Sequence, residues 1–151
     1  MRLRIYLSHP PGLRGEIIEW AKELEKRLHV KIWIPFQMKT RDITLLESGT
    51  LKPYSKQEII ESKKLVEANL RAIKNCDLLI AVLPYPSIGV IMEICYSGFV
   101  LQKPTLVLTY MKGHPWLSVV ARIYDTKESI VSEIRKIRDV LGYKYLSLIH
   151  I

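Results

Sequence analysis

DLLIAVLP, residues 77–84, is the stretch that decides the fold. Every position from Leu78 to Leu83 is apolar, with no polar face left for water. A central strand of a parallel sheet, covered by helices on both sides, has this pattern. The segments on either side support that reading. Upstream, Ser55 is placed to cap a long helix, SKQEIIESKKLVEANLRAIKN, in which Ile59, Ile60, Leu65, Leu70 and Ile73 form an apolar stripe. Downstream, PYPSIGVIMEICYSG (84–98) reads as a loop, followed by a helix from about Gly89 to Leu101. A second central strand, KPTLVLTY (103–110), follows it.

The pattern repeats toward both ends. LRIYLS (3–8) is strand-like, and RGEIIEWAKELEKRLH (14–29) carries Ile17, Trp20, Ala21, Leu24 and Leu28 at helical spacing. VKIWIP (30–35) returns to strand character, and 36–54 dissolves into a polar loop long enough to serve as a lid. After a loop with Gly113 and Pro115, a short strand near ARIYD (121–125) leads into a helix ending at LG (141–142), capped by Asp125 or Thr126. The tail YKYLSLIHI (143–151) alternates weakly, which suggests an edge strand or a partner-binding arm. Strands alternating with helices imply an α/β fold, a three-layer doubly wound (Rossmann/flavodoxin-like) sheet of about five parallel strands. The 151 residues, 48% hydrophobic, suit a single domain spanning 1–151.

Composition narrows the function classes. No apolar run approaches the length of a membrane span, and the N-terminus enters a strand without signal-peptide regions, so a cytoplasmic protein with no membrane partner is expected. Cys76 and Cys95 have apolar neighbours and neither CxxC spacing nor a partnered His, which reads as two reduced, buried thiols and no structural metal. The net charge of +8 is spread along the chain. It attracts polyanions without specificity and small phosphorylated substrates alike, and no motif supports specific nucleic-acid binding.

In doubly wound folds ligands bind beyond the C-terminal strand ends, near the switch in strand order. SHPPG, the long loop and PYPSIG therefore border the expected site. Glu93 is the one carboxylate in its apolar segment, expected on the first turn of its helix. The helix dipole favours a charge there, but an unpaired carboxylate in a buried segment is expensive. Ser87 and Gly89 stand beside the helix N–H groups, an arrangement suited to a phosphate or hydroxyl. Ser8 and His9 close the first strand. HPPGLRG, with Arg14, is similar to a phosphate-facing loop but lacks both GxGxxG and the P-loop lysine. No GxSxG elbow is present, so Ser8, His9 and Glu93 do not form a hydrolase triad of that kind.

IYLS, NLRAIKNCDLLIAV, PSIGVIMEI and QKPTLVL together resemble the nucleoside 2-deoxyribosyltransferase superfamily. The nearest likeness is to its 2'-deoxynucleoside 5'-monophosphate N-glycosidases, whose helix reads P-S-L-G-V-G-Y-E-L-G, and it covers the chain up to the last helix. The resemblance implies a nucleophilic role for Glu93 and a pocket-lining role for Tyr6, which steers Glu93. It places Ser87 where the transferases carry Asp, favouring a nucleotide substrate over a nucleoside. Asn69 stands where the family has a supporting Asp, and an amide cannot act as acid or base. His9 replaces a glycine, and Ile91 and Met92 replace Gly-Tyr.

Ser8, His9, Arg14, Ser87 and Gly89 are the implied phosphate and sugar contacts, and no metal or other cofactor is needed. The expected activity is hydrolysis of the N-glycosidic bond of (deoxy)nucleoside 5'-monophosphates, releasing free base and sugar phosphate. Base exchange by a nucleoside 2-deoxyribosyltransferase and a catalytically weak nucleotide-binding module are the alternatives. The resemblance also implies a homodimer or larger assembly, with the helix after Gly89 and the tail as contact surfaces.

Overall fold

Residues 2–36, 55–111 and 113–149 are described by the structure, a computed structural model, with side chains placed through residue 142. The strands are β1 (Arg4–Ser8), β2 (Lys31–Trp33), β3 (Leu78–Val82), β4 (Thr105–Leu108) and β5 (Arg122–Tyr124). They form one sheet in the order β2-β1-β3-β4-β5. Every neighbouring pair is parallel. The doubly wound α/β expectation is therefore met. The helices are α1 (Arg14–Leu28), α2 (Lys56–Asn75), α3 (Ile88–Cys95), α4 (Pro115–Val120) and α5 (Lys127–Ile149).

The two-residue period of a strand sends alternate side chains to opposite faces. Ile5 and Leu7 of β1, with Leu78, Ile80 and Val82 of β3, pack against Ile17, Trp20 and Leu24 of α1 and Ile130 and Ile134 of α5. Tyr6, Leu79 and Ala81 pack on the other face with Ile73 of α2 and Val90 and Ile94 of α3. From β1 the chain moves to β2 on one side, then crosses to β3 on the other. The C-terminal ends of β1 and β3 therefore flank the crevice where such folds bind ligands.

Local chemistry sets the boundaries. Ser55 and Glu58 form a capping box at the start of α2. At its other end the Lys103 ammonium donates to the carbonyls of Ile73 (3.0 Å), Lys74 and Cys76, at the C-terminus where helix carbonyls run short of amide partners. Asp77, at the strand end remote from the crevice, accepts from the Arg4 amide at 2.8 Å and pairs with its guanidinium at 3.3 Å. Of the two candidate caps for α5, Thr126 takes the Ser129 amide at 3.1 Å.

Several expectations are corrected. α5 runs through Gly142 to Ile149, so the tail as far as Ile149 is helix and not an edge strand. A helical glycine costs only about 1 kcal/mol relative to alanine, too little to end a long helix. The segment 115–120, read as loop, is the short helix α4. Cys95 is exposed while Cys76 is buried, so only one thiol is in the core. The apolar stripe of α2 is largely uncovered: Ile73 is its buried residue, whereas Ile59 and Ile60 are exposed. Of the expected lid, 36–54, every residue but Phe36 lies outside the described residues.

α3 continues into a π-helical turn, Tyr96–Val100, where the helix path widens beside β4 and α4. Ser97 and Thr105 share a buried hydroxyl hydrogen bond of 2.8 Å. Gly98 packs against the Val120 carbonyl so closely that a Cβ would sit 2.0 Å from its oxygen. This contact sets the depth at which α3 lies on the sheet.

Candidate functional site

Glu93 is the sixth residue of α3, which starts at Ile88, so it lies in the second turn and not the first. The dipole effect fades beyond the first turn and does not explain a carboxylate here. Val90, Glu93, Ile94 and Ser97 follow helical spacing on the side that packs against the sheet, where Val90 and Ile94 are buried. Tyr6 and Ser8 are two residues apart in β1, so both project to the same face of the sheet. The helix and the strand meet there. The Tyr6 hydroxyl donates to one Glu93 oxygen, and the Ser8 hydroxyl donates to the other at 2.9 Å.

Burial is the main influence on Glu93 and pushes its carboxyl above the usual range, while the two hydroxyl bonds pull it back in part. The Tyr6 phenol, itself buried and beside the carboxylate, is driven well above its ordinary value and stays protonated. Each carboxylate oxygen holds one donor and keeps a second lone pair. The group is thus oriented, poorly solvated and still able to attack or to accept a proton. A Tyr6→Phe variant should raise the Glu93 pKa further by removing one stabilising donor. Carbon NMR titration of the Glu93 carboxyl should show its midpoint at higher pH than in the parent, and an unmoved midpoint would count against this account.

The other candidates are placed as follows. Ser87 is the N-cap residue of α3, yet its side chain makes no cap hydrogen bond. Gly89 is exposed one position beyond Ile88, with nothing within 4 Å of where a Cβ would stand. The Arg14 guanidinium donates to the Pro35 carbonyl at 2.8 Å. Asn69 binds the next residue at both ends of its amide: Oδ1 accepts from Phe36 N at 2.9 Å and Nδ2 donates to Phe36 O at 3.1 Å. Arg14 and Asn69 thus anchor the chain as it leaves β2. His9 is buried after Ser8, with Nδ1 donating to the Pro10 carbonyl at 2.8 Å.

Sequence reasoning missed Trp33, Phe36 and Arg71. With Ala68, Ala72 and Asn75 they line a cleft of about 280 Å³ beside α2 that does not include Glu93. The i, i+3, i+4, i+7 spacing of 68, 71, 72 and 75 was visible, but not its pairing with the end of β2. Tyr85 was also missed: its hydroxyl would stand 3.4 Å from a Cβ at Gly12, so the loops after β1 and β3 approach each other at the mouth. Among the described residues no cluster of three or more His, Cys, Asp or Glu side chains could hold a metal ion. None of the described helices is long and apolar enough to cross a membrane.

Fold and site together define an α/β, Rossmann-like protein with a half-buried, hydroxyl-bound carboxylate at the strand-order switch. No protein-family model matches the chain. No curated protein matches it either. Among solved structures it is similar to a 2-deoxyribosyltransferase from the psychrotolerant bacterium Bacillus psychrosaccharolyticus. That match has 14% identity and a TM-score of 0.56, over 87% of this chain and 90% of the other. A CMP N-glycosidase from Clostridium botulinum matches at 18% identity and a TM-score of 0.49, over 87% of this chain and 97% of the other. At such identities the likeness is one of fold.

Proposed function

We propose that this protein cleaves the N-glycosidic bond of nucleoside or deoxynucleoside 5'-monophosphates, with Glu93 as nucleophile. One observation carries the reading: the Glu93 carboxylate is held between the Tyr6 and Ser8 hydroxyls at the crevice of a doubly wound sheet. The resemblance of PSIGVIMEI to the N-glycosidase helix and the fold shared with a 2-deoxyribosyltransferase support it.

In this mechanism a Glu93 oxygen attacks the anomeric carbon as the bond to the base breaks, through an oxocarbenium-like transition state. The base leaves with the bonding electrons and takes up a proton. Water then attacks the glycosyl-enzyme, its proton is lost, and the carboxylate is released. Tyr6 and Ser8 hold the carboxylate in line throughout. Ser87, whose hydroxyl caps nothing, and the amide of Gly89 at the start of α3 receive the phosphate. Asn69 and Arg14 act on the backbone that borders the sugar, not on protons. The assembly is a homodimer or larger. Ile88, Met92, Phe99, Trp116 and Val119 lie exposed on α3, the π turn and α4, an apolar surface suited to burial against a second copy.

The test is incubation with each nucleoside and deoxynucleoside monophosphate, with and without a second free base. Free base without exchange supports hydrolysis. Exchange on unphosphorylated nucleosides supports the second reading, a 2-deoxyribosyltransferase, which the fold neighbour favours. Tight nucleotide binding without turnover points to a catalytically silent binding module. A Glu93→Ala protein with full activity would sink both enzymatic readings. For the assembly, a Met92→Lys, Trp116→Lys double variant should sediment at monomer mass; an unchanged mass would remove this surface from the interface.

A further inference from the structure

His9 carries a feature that the proposed chemistry leaves unused. The residue is 4% exposed, and its Nε2 is buried with no hydrogen-bond partner among the described residues. The other nitrogen settles the tautomer. Nδ1 faces the Pro10 carbonyl at 2.8 Å, and a carbonyl only accepts, so Nδ1 bears the proton. Burial, first, and the nearby positive charge of Arg14 lower the pKa of the ring below its ordinary value, against the opposing pull of the Pro10 carbonyl, and so favour its neutral form. Nε2 is therefore a bare lone pair. Buried acceptors are almost always paired, because an unpaired one forfeits its hydration for nothing.

His9 stands at the crevice end of β1. His9 directly follows Ser8, whose hydroxyl binds Glu93. Above the same strand end, the half-exposed Tyr85 reaches toward Gly12. We infer that His9 is a specificity-determining residue of this site, whose Nε2 accepts a hydrogen bond from a donor on the substrate, either a sugar hydroxyl or the exocyclic amine of a base. The inference rests on the nucleotide reading given above and narrows it. A phosphate dianion presents only acceptors, so it repels this nitrogen; the phosphate belongs at Ser87 and Gly89. Because Nε2 lies beneath the surface, the donor reaches it as the segments of the two loops at the mouth part, and gaining that bond favours the bound arrangement.

Nitrogen NMR of histidine-labelled protein tests this directly, with the His9 signals assigned by their loss in His9→Ala. Before ligand, Nδ1 should be protonated and Nε2 bare. CMP should shift Nε2. Loss of the shift with dCMP identifies the 2'-hydroxyl as donor, loss only with dideoxy-CMP the 3'-hydroxyl, and loss with UMP the amine. In kinetics, His9→Ala should reduce the kcat/KM preference for the donor-bearing over the donor-lacking nucleotide by about tenfold, the worth of one such bond. His9→Asn, which retains an acceptor oxygen, should restore part of it and keeps the test open if the alanine variant fails to fold. A protonated Nε2 before ligand, an Nε2 silent to every nucleotide, or the same shift with inorganic phosphate alone would overturn the inference. A nucleotide-dependent shift without turnover would instead retain His9 as a recognition residue and reject the glycosidic reading.

Discussion

A Glu93→Gln variant is expected to lose at least about a thousandfold in turnover and yet to melt at a higher temperature than the parent at neutral pH. The loss follows from chemistry: an amide oxygen cannot form and release the glycosyl ester that the proposed mechanism requires. The gain in stability follows from the environment of the carboxyl. Its pKa is raised in the folded protein because burial outweighs the two hydroxyl bonds. A carboxyl of this kind favours the fold while protonated, below its unfolded pKa, and the contribution is lost as pH rises through the folded value. Above that window the parent keeps a charge in a poorly solvated place, and glutamine does not. The difference in Tm between variant and parent should therefore grow as pH rises through the titration of Glu93 and vanish below it. Thermal melts across pH would show this. A variant less stable than the parent at every pH would mean that the hydroxyl bonds, not burial, dominate the site.

The second large effect lies away from the chemistry. Gly98→Ala should cost about 3 kcal/mol and lower Tm by roughly 6–12 °C, as overpacking against an unyielding neighbour does in a chain of this size. The new methyl would stand 2.0 Å from the Val120 carbonyl oxygen, with the Thr105 hydroxyl 3.3 Å away on another side. A carbonyl at the end of α4 cannot rotate aside as a side chain can. The π turn must therefore lift from the sheet, and α3 with it. Glu93 would then move relative to Tyr6 and Ser8, so activity should fall by about a hundredfold in the molecules that still fold, the penalty for misplacing a reacting group by about 1 Å. Gly89→Ala is the control on the same helix. Nothing lies within 4 Å of its added carbon, so its melting temperature should hold or rise slightly. Equal losses in the two variants would point to glycine's conformational freedom and not to the Val120 contact.

Much of the framework is legible along the chain. DLLIAVLP, with helical segments on both sides, already specifies a central parallel strand, and the capping box at Ser55 marks where α2 begins. The same local signals mislead where they are weak. Gly142 reads as a helix stop, but α5 passes through it. The apolar stripe runs from Ile59 to Ile73, but of its residues only Ile73 is buried within the chain. Periodicity reports that a face is apolar; it does not report what covers that face.

By itself the sequence determined the alternation of strands and helices and the candidate status of Glu93. Those properties depend on the apolar pattern and the length of each segment, both of which are local. Tertiary structure decided that Tyr6 and Ser8 share one carboxylate, that Asn69 and Arg14 hold the backbone of Phe36 and Pro35, and that His9 has a buried nitrogen with no partner among the described residues. Each of these depends on which element lies against which. Hydrogen bonds between residues 85 and 87 positions apart, such as Ser8 and Tyr6 with Glu93, exist only once the sheet has closed and Gly98 has let α3 settle on it.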